Sequence, residues 1–123
     1  MNKLLDFPYA VDLNEAKKIQ EKLKGLLSFN FPYQDEEINL VAGIDVSYNA
    51  EKEAFAAVVV LDFPSLRVRE VSWGKVFPPF PYIPGFLSFR EGPAIERALS
   101  LLCFQPQIFF FDGQGIAHPR GVG

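Results

Sequence analysis

Residues 40–73 read LVAGIDVSYNAEKEAFAAVVVLDFPSLRVREVSW, and three strands can be marked within them. Over Leu40–Tyr48 the side chains divide by parity. Leu40, Ala42, Ile44 and Val46 fall on one side, and Val41, Gly43, Asp45 and Ser47 on the other, as the two-residue repeat of a pleated strand requires. The second set is small and polar around Asp45, which leaves space beside that carboxylate. Ala54 to Leu61 is apolar at nearly every position, the pattern of a central strand buried on both faces. Leu66 to Trp73 carries more charge and reads as a more exposed neighbour. A turn near Asn49 to Glu53 separates the first two strands. Neither connection has room for a helical crossover, so the three form an antiparallel meander.

Working outward toward the N-terminus, residues 28–37 read as a connecting loop and a helix precedes them. Asp12 followed by Glu15 is a capping-box arrangement, in which side-chain oxygens take up unpaired backbone N–H groups. Ala16, Ile19, Leu23, Leu26 and Leu27 then recur at helical spacing, with Lys17, Lys18, Glu21 and Lys24 mostly elsewhere, and Gly25 weakens the end. On the other side, residues 77–86 read FPPFPYIPGF. Their prolines remove backbone donors and hold the chain in an extended loop. A helix resumes near Phe86 and is expected to run to about Leu102 with a break at Gly92-Pro93; Ile95, Leu99 and Leu102 form its apolar stripe. Gln107 to Phe111 is a short apolar strand that ends at Asp112. Because a helix lies in the crossover, this fourth strand is expected to be parallel to its neighbour. The final GQGIAHPRGVG reads as a loop.

The chain has 123 residues, 49% of them hydrophobic, including 13 Phe. That is enough apolar surface for one packed domain. The net charge of −3 argues mildly against a broad phosphate-binding face, although Arg67, Arg69, Lys75, Arg90, Arg97 and Arg120 supply local basic groups. Cys103 is the single cysteine, so no intrachain disulfide forms, and a reducing, cytoplasmic compartment is the expectation. Asp6 and Pro8 interrupt Leu4-Leu5 before a signal-peptide apolar region can develop. The longest apolar run, Ala54 to Leu61, is less than half a membrane span, so no membrane partner is expected.

Three carboxylates stand out by position: Asp45 in mid-strand among small residues, Asp112 at the end of an apolar strand, and Glu91 on or near the helix of the crossover. Acids so placed on an α/β sheet suit a hard divalent ion, since Mg²⁺ needs only one or two carboxylates besides water and phosphate oxygens. On spacing alone the commoner reading of each is a cap or a surface charge. His118 in a proline-containing loop reads by itself as a surface or hydrogen-bonded histidine, and the Pro-aromatic loop as a lid over the core.

Four segments change that balance. VAGIDVSY at 41–48, FPYIPG at 80–85, FREGP at 89–93 and FDGQGIAHPR at 111–120 resemble, in order and separation, the successive motifs of the endonuclease V family, and the resemblance runs from the first helix to Arg120. It implies a ribonuclease-H-like α/β fold: a mixed sheet in which the antiparallel meander is joined by a parallel strand, with flanking helices, in a single incomplete domain. It implies that Asp45, Glu91 and Asp112 are metal-centre acids and that His118 is the active-site histidine near the scissile phosphate. Pro81, Tyr82, Ile83 and Pro84 match the wedge that parts the strands at the lesion, with Tyr82 and Ile83 offering apolar surface in place of a base. Gly85, Leu87, Gly113 and Gly115 match positions around the base pocket. Tyr48 matches a position the family fills with an aromatic, in support of the metal site or of the substrate backbone.

The implied reaction is Mg²⁺-dependent hydrolysis, with Mn²⁺ as substitute, one nucleotide 3′ of deoxyinosine in DNA. Inosine-containing RNA is a further partner. The family pattern continues beyond HPR with elements this chain does not carry. A fragment, a split gene product or a domain that needs a complementing C-terminal fragment is therefore also implied. The alternative is a catalytically impaired remnant that binds nucleic acid or protein.

Overall fold

The computed structural model describes residues 12–78 and 80–122. The expectation drawn from Asp6 and Pro8, and Pro79 of the proline loop, lie outside them. Helix α1 spans Leu13–Lys24, strand β1 Leu40–Tyr48, β2 Ala54–Asp62, β3 Val68–Val76, helix α2 Leu87–Ser100 and strand β4 Ile108–Phe111; single 3₁₀ turns occupy Asp35–Glu37 and Gly115–Ala117. The sheet order is β3-β2-β1-β4. β1–β2 and β2–β3 are antiparallel, and β4 lies parallel to β1, as the crossover helix dictates. Among the described residues no helix is long and apolar enough to cross a membrane.

The α1 start forms as its sequence indicates, with Asp12 Oδ1 accepting from Glu15 N at 2.8 Å. Its apolar stripe is shorter than expected. Ala16 is buried, whereas Leu26 and Leu27 lie past the Gly25 cap and are exposed. Helix α2 differs more. It runs unbroken through Gly92 and Pro93, both buried. Proline in a helix interior forfeits one backbone bond, and packing of the helix against the sheet holds the segment helical regardless. β3 begins at Val68 rather than Leu66. Leu66 has a positive φ of 61° and donates to Asp62 O, while Arg67 O accepts from Asp62 N, so the turn takes two residues that the pattern gave to the strand.

One face of the sheet is covered by α2. Ala42, Ile44, Ala54, Ala56, Val58, Val60, Ala94, Ala98 and Leu102 form a buried cluster there. The alanines allow close approach, and Gly74 carries this furthest. A Cβ at Gly74 would lie 2.8 Å from Ala98 N and 2.9 Å from Arg97 Cβ, and next door Ser72 Oγ donates to Ala98 O at 2.6 Å. After the helix, the Glu70 carboxylate accepts from Cys103 N and Phe104 N, and these backbone bonds hold its pKa below the ordinary value while fixing the turn toward β4.

The opposite face is different. β2 alternates between fully buried and half-buried residues, where burial on both sides was expected. Val71, Trp73 and Phe110 on that side are more than half exposed. Trp73 stacks on Phe55 with ring centroids 5.1 Å apart. The pairings Asp45↔Ala57 and Ala57↔Trp73 put Trp73 and Asp45 on this same face. A second, smaller core lies at the end of α2: Ala16, Phe80, Phe86 and Phe89, joined by Ile19 and Ile83. It anchors α1 and the proline loop to the helix.

Candidate functional site

The last β1–β4 pair is Ile44↔Phe111. Asp112 follows the end of β4 and Asp45, in the middle of β1, is the next residue in the same register, so both carboxylates lie level with the carboxyl end of β4, the side on which ligand sites of α/β folds gather. Both are exposed. Asp45 Oδ1 accepts from Val46 N at 3.0 Å. Glu91 approaches from α2 and is half-buried, with its Oε2 accepting from the Tyr48 hydroxyl at 3.0 Å. Burial raises the Glu91 pKa above its ordinary value, and the negative charges of Asp45 and Asp112 push the same way against the Tyr48 hydrogen bond and Arg90. The Tyr48 phenol is raised too, first by burial and then by its bond to Glu91. Arg90 lies over the Tyr48 ring at 4.9 Å and donates from Nη1 to Phe80 O at 3.2 Å.

The three acids are thus electrostatic neighbours. They are not closed into a ligand set: among the described residues, no three His, Cys, Asp or Glu side chains are grouped closely enough to hold a metal ion. The donor chemistry fits a hard cation nonetheless. All the donors are carboxylate oxygens, the ligands a hard cation takes.

His118 is not exposed beside these acids. It is 5% exposed and both ring nitrogens are taken by protein groups. Nδ1 accepts from Arg120 N at 3.0 Å, so the ring proton sits on Nε2, 2.8 Å from Gly85 O. The same carbonyl accepts from Gln20 Nε2 at 2.8 Å and from an Arg120 Nη at 3.1 Å. Arg120 Nε donates to Gln20 Oε1 at 2.6 Å, and its guanidinium lies over the Phe86 ring at 4.4 Å.

Gly85 has φ +88°, and a Cβ there would meet Arg120 at 2.9 Å and His118 at 3.4 Å; glycine is required on both counts. Phe86 N donates to Ile83 O, closing a four-residue turn with Pro84 and Gly85 at its centre, the pairing that a type II turn favours.

The loop 80–85 is therefore held at both ends, by Arg90 on the Phe80 carbonyl and by Gln20, His118 and Arg120 on the Gly85 carbonyl. Between them Pro81 and Pro84 are exposed and Tyr82 is 65% exposed. Ile83 packs onto the Phe80–Phe86–Phe89 cluster, and the exposed tip is Tyr82. Leu87, at the start of α2, is 40% exposed. Gly113 is exposed with nothing within 4 Å of a would-be Cβ, and Gly115 has φ +55°. Arg90 and Arg120 are bound to protein partners. Arg69 pairs with Asp62 at 2.8 Å, and Arg97 donates to Lys75 O.

Sequence reasoning missed Gln20. Its signal was present: positions 16, 20 and 23 share the apolar stripe of α1, and a polar residue on that stripe is 4% exposed.

Comparison with known proteins bears on all four motifs. The family model described as Endonuclease V matches residues 21–123. Endonuclease V of Kosmotoga olearia is 47% identical over 113 residues, which is 92% of this chain and 49% of that protein. Endonuclease V of Roseiflexus castenholzii is 43% identical over 118 residues, 96% of this chain and 52% of that one. Among solved structures, Streptomyces avermitilis endonuclease V superposes with TM-score 0.84 at 36% identity, covering 96% of this chain and 51% of its own. Ciona intestinalis endonuclease V, in complex with a 23mer DNA containing an inosine, superposes with TM-score 0.81 at 29% identity, covering 90% of this chain and 49% of its own. The chain spans about half the length of the curated relatives it matches. The ribonuclease-H-like mixed sheet expected from the motifs is the fold found.

Proposed function

The chain belongs to the endonuclease V family, and on that premise we propose that it carries the lesion-reading part, and three metal-binding acids, of an endonuclease that cleaves DNA one nucleotide 3′ of deoxyinosine. The observation that carries this reading is the pinned loop: a stiff Pro-Tyr-Ile-Pro segment with an exposed aromatic tip, tied through Arg90 to the acidic site.

Asp45, Glu91 and Asp112 are the residues that would hold a divalent cation, Mg²⁺ or its substitute Mn²⁺. Its chemistry is neutralisation of phosphate charge and activation of water. The chain's own groups do the rest. Tyr48 holds the Glu91 carboxylate by its hydroxyl. Tyr82 enters the duplex and takes the stacking place of a displaced base, while Ile83 and Phe80 anchor the loop beneath it. Gly85, Leu87 and Gly113 border the pocket, where backbone N–H donors favour hypoxanthine, which has a carbonyl at the position of adenine's amino group. His118 acts from behind that pocket by orienting Gly85. Cleavage leaves a 3′-hydroxyl and a 5′-phosphate.

A second reading, nucleic-acid binding without cleavage, is favoured by one observation: the three acids do not form a closed ligand set. Incubating the chain with an end-labelled oligonucleotide containing one inosine, with Mg²⁺ or Mn²⁺, separates the two. Metal-dependent nicking that Asp45→Ala and Asp112→Ala each abolish supports the endonuclease. Inosine-selective binding without nicking supports the second reading. A folded chain that does neither overturns both. An inosine-containing RNA in parallel tests the range of partners.

A further inference from the structure

The Gly85 carbonyl has two lone pairs and receives three donors, from Gln20, His118 and Arg120. The Gln20 amide orientation follows from chemistry. Arg120 Nε can only donate, so the amide oxygen faces it and the amide NH₂ faces the carbonyl. Both ends of this buried side chain are thereby used, with no polar atom left over for solvent or substrate. Three segments far apart in sequence meet on one peptide plane: α1 through Gln20, the Pro84-Gly85 turn, and the HPR segment through His118 and Arg120.

We propose that Gln20 is a positioning residue for lesion recognition. It locks the Gly85 peptide, and with it the exit of the 80–85 loop, so that Tyr82 is presented in a fixed place before nucleic acid arrives. The proposal rests on the lesion-reading role of that loop. The physical gain is preorganisation. A loop ordered in advance loses no conformational freedom on binding, so contacts at its tip appear undiminished in affinity and selectivity. A leucine at this helical position would fill the stripe equally well and leave the Gly85 carbonyl with two donors and Arg120 Nε without a partner. Helix packing therefore does not explain the glutamine, whereas the turn and the guanidinium do.

The test compares wild type, Gln20→Leu and Gln20→Glu. Gln20→Glu is close to isosteric and keeps the acceptor for Arg120, but has no donor for Gly85, so it tests the Gly85 bond even if Gln20→Leu fails to fold. Binding is measured to matched duplexes with inosine or adenine at one position. The preference for inosine is expected to fall about tenfold in both variants, the worth of roughly one buried hydrogen bond, with Mn²⁺ affinity at the acids unchanged. Amide relaxation at Tyr82 and Ile83 is expected to show increased motion in both. An unchanged preference, or equal weakening toward both duplexes, overturns the proposal. Should wild type itself show no preference, the lesion-reading role fails. The relaxation measurement then judges the lock alone: motion at Tyr82 equal to wild type in Gln20→Glu overturns it, and increased motion upholds it.

Discussion

The carboxylates of Asp45, Glu91 and Asp112 and the carbonyl of Gly85 are both places where polar groups converge, and they are opposite in condition. At Gly85 three protein donors meet one acceptor, two of them from the buried side chains of Gln20 and His118. At the sheet, two exposed carboxylates stand near half-buried Glu91, whose pKa is raised first by its burial and then by their negative charge. The difference separates two tasks. Reading a lesion depends on shape, which a chain can complete with its own hydrogen bonds. On the proposed reading, cutting a phosphodiester depends on charge, and acids that would take a cation repel one another without it.

Four experiments sharpen or break that contrast. The largest effect is expected at the unfinished end: Asp45→Ala or Asp112→Ala should lower metal-dependent nicking by on the order of a thousandfold, while inosine-selective binding persists. Loss of both would join the two regions into one unit. Gly85→Ala attacks the finished end. A Cβ would strain the positive φ and press on Arg120, so a loss of about 1–3 kcal/mol is expected on thermal unfolding. A wild-type melting temperature would mean the turn yields easily.

Tyr48→Phe keeps the ring under Arg90 but removes the hydroxyl bond to Glu91. Divalent affinity should fall by less than about tenfold, matching a hydrogen-bond contribution of roughly 0.5–1.5 kcal/mol; unchanged affinity would free Glu91 from that contact. The smallest effect is a slope. Because the folded state favours neutral Glu91, its contribution is fully present below the unfolded pKa and is lost as pH rises above the ordinary value of 4.5 through the elevated folded one. With a chelator present, melting temperature should decline over that window, and Glu91→Gln or added Mg²⁺ should flatten the decline.

Much of the fold was legible because local and tertiary preferences agree in β1. Gly43, Asp45 and Ser47 alternate with Ala42, Ile44 and Val46, and the exposed set is the polar one. At Gly92-Pro93 they disagree, and packing overrides a break that the residues themselves favour. Candidate members of a site could be named from the motifs, but their geometry could not. Spacing cannot say whether Asp45, Glu91 and Asp112 close on one ion, and they stop short of doing so. Nor can it say that the imidazole of His118 is turned toward a backbone carbonyl. The Gln20 lock was half-visible, since a glutamine on an apolar stripe announces a buried partner without naming it.

Trp73 is the chain's single tryptophan, and it sits on the sheet face opposite α2, stacked on Phe55 with more than half its surface in water. Its fluorescence therefore carries no signal from the other core. Emission toward the red, water-facing end of the indole range is expected of this face, and a blue shift would report that something apolar has been laid across it, whether another protein segment or another molecule of the same kind.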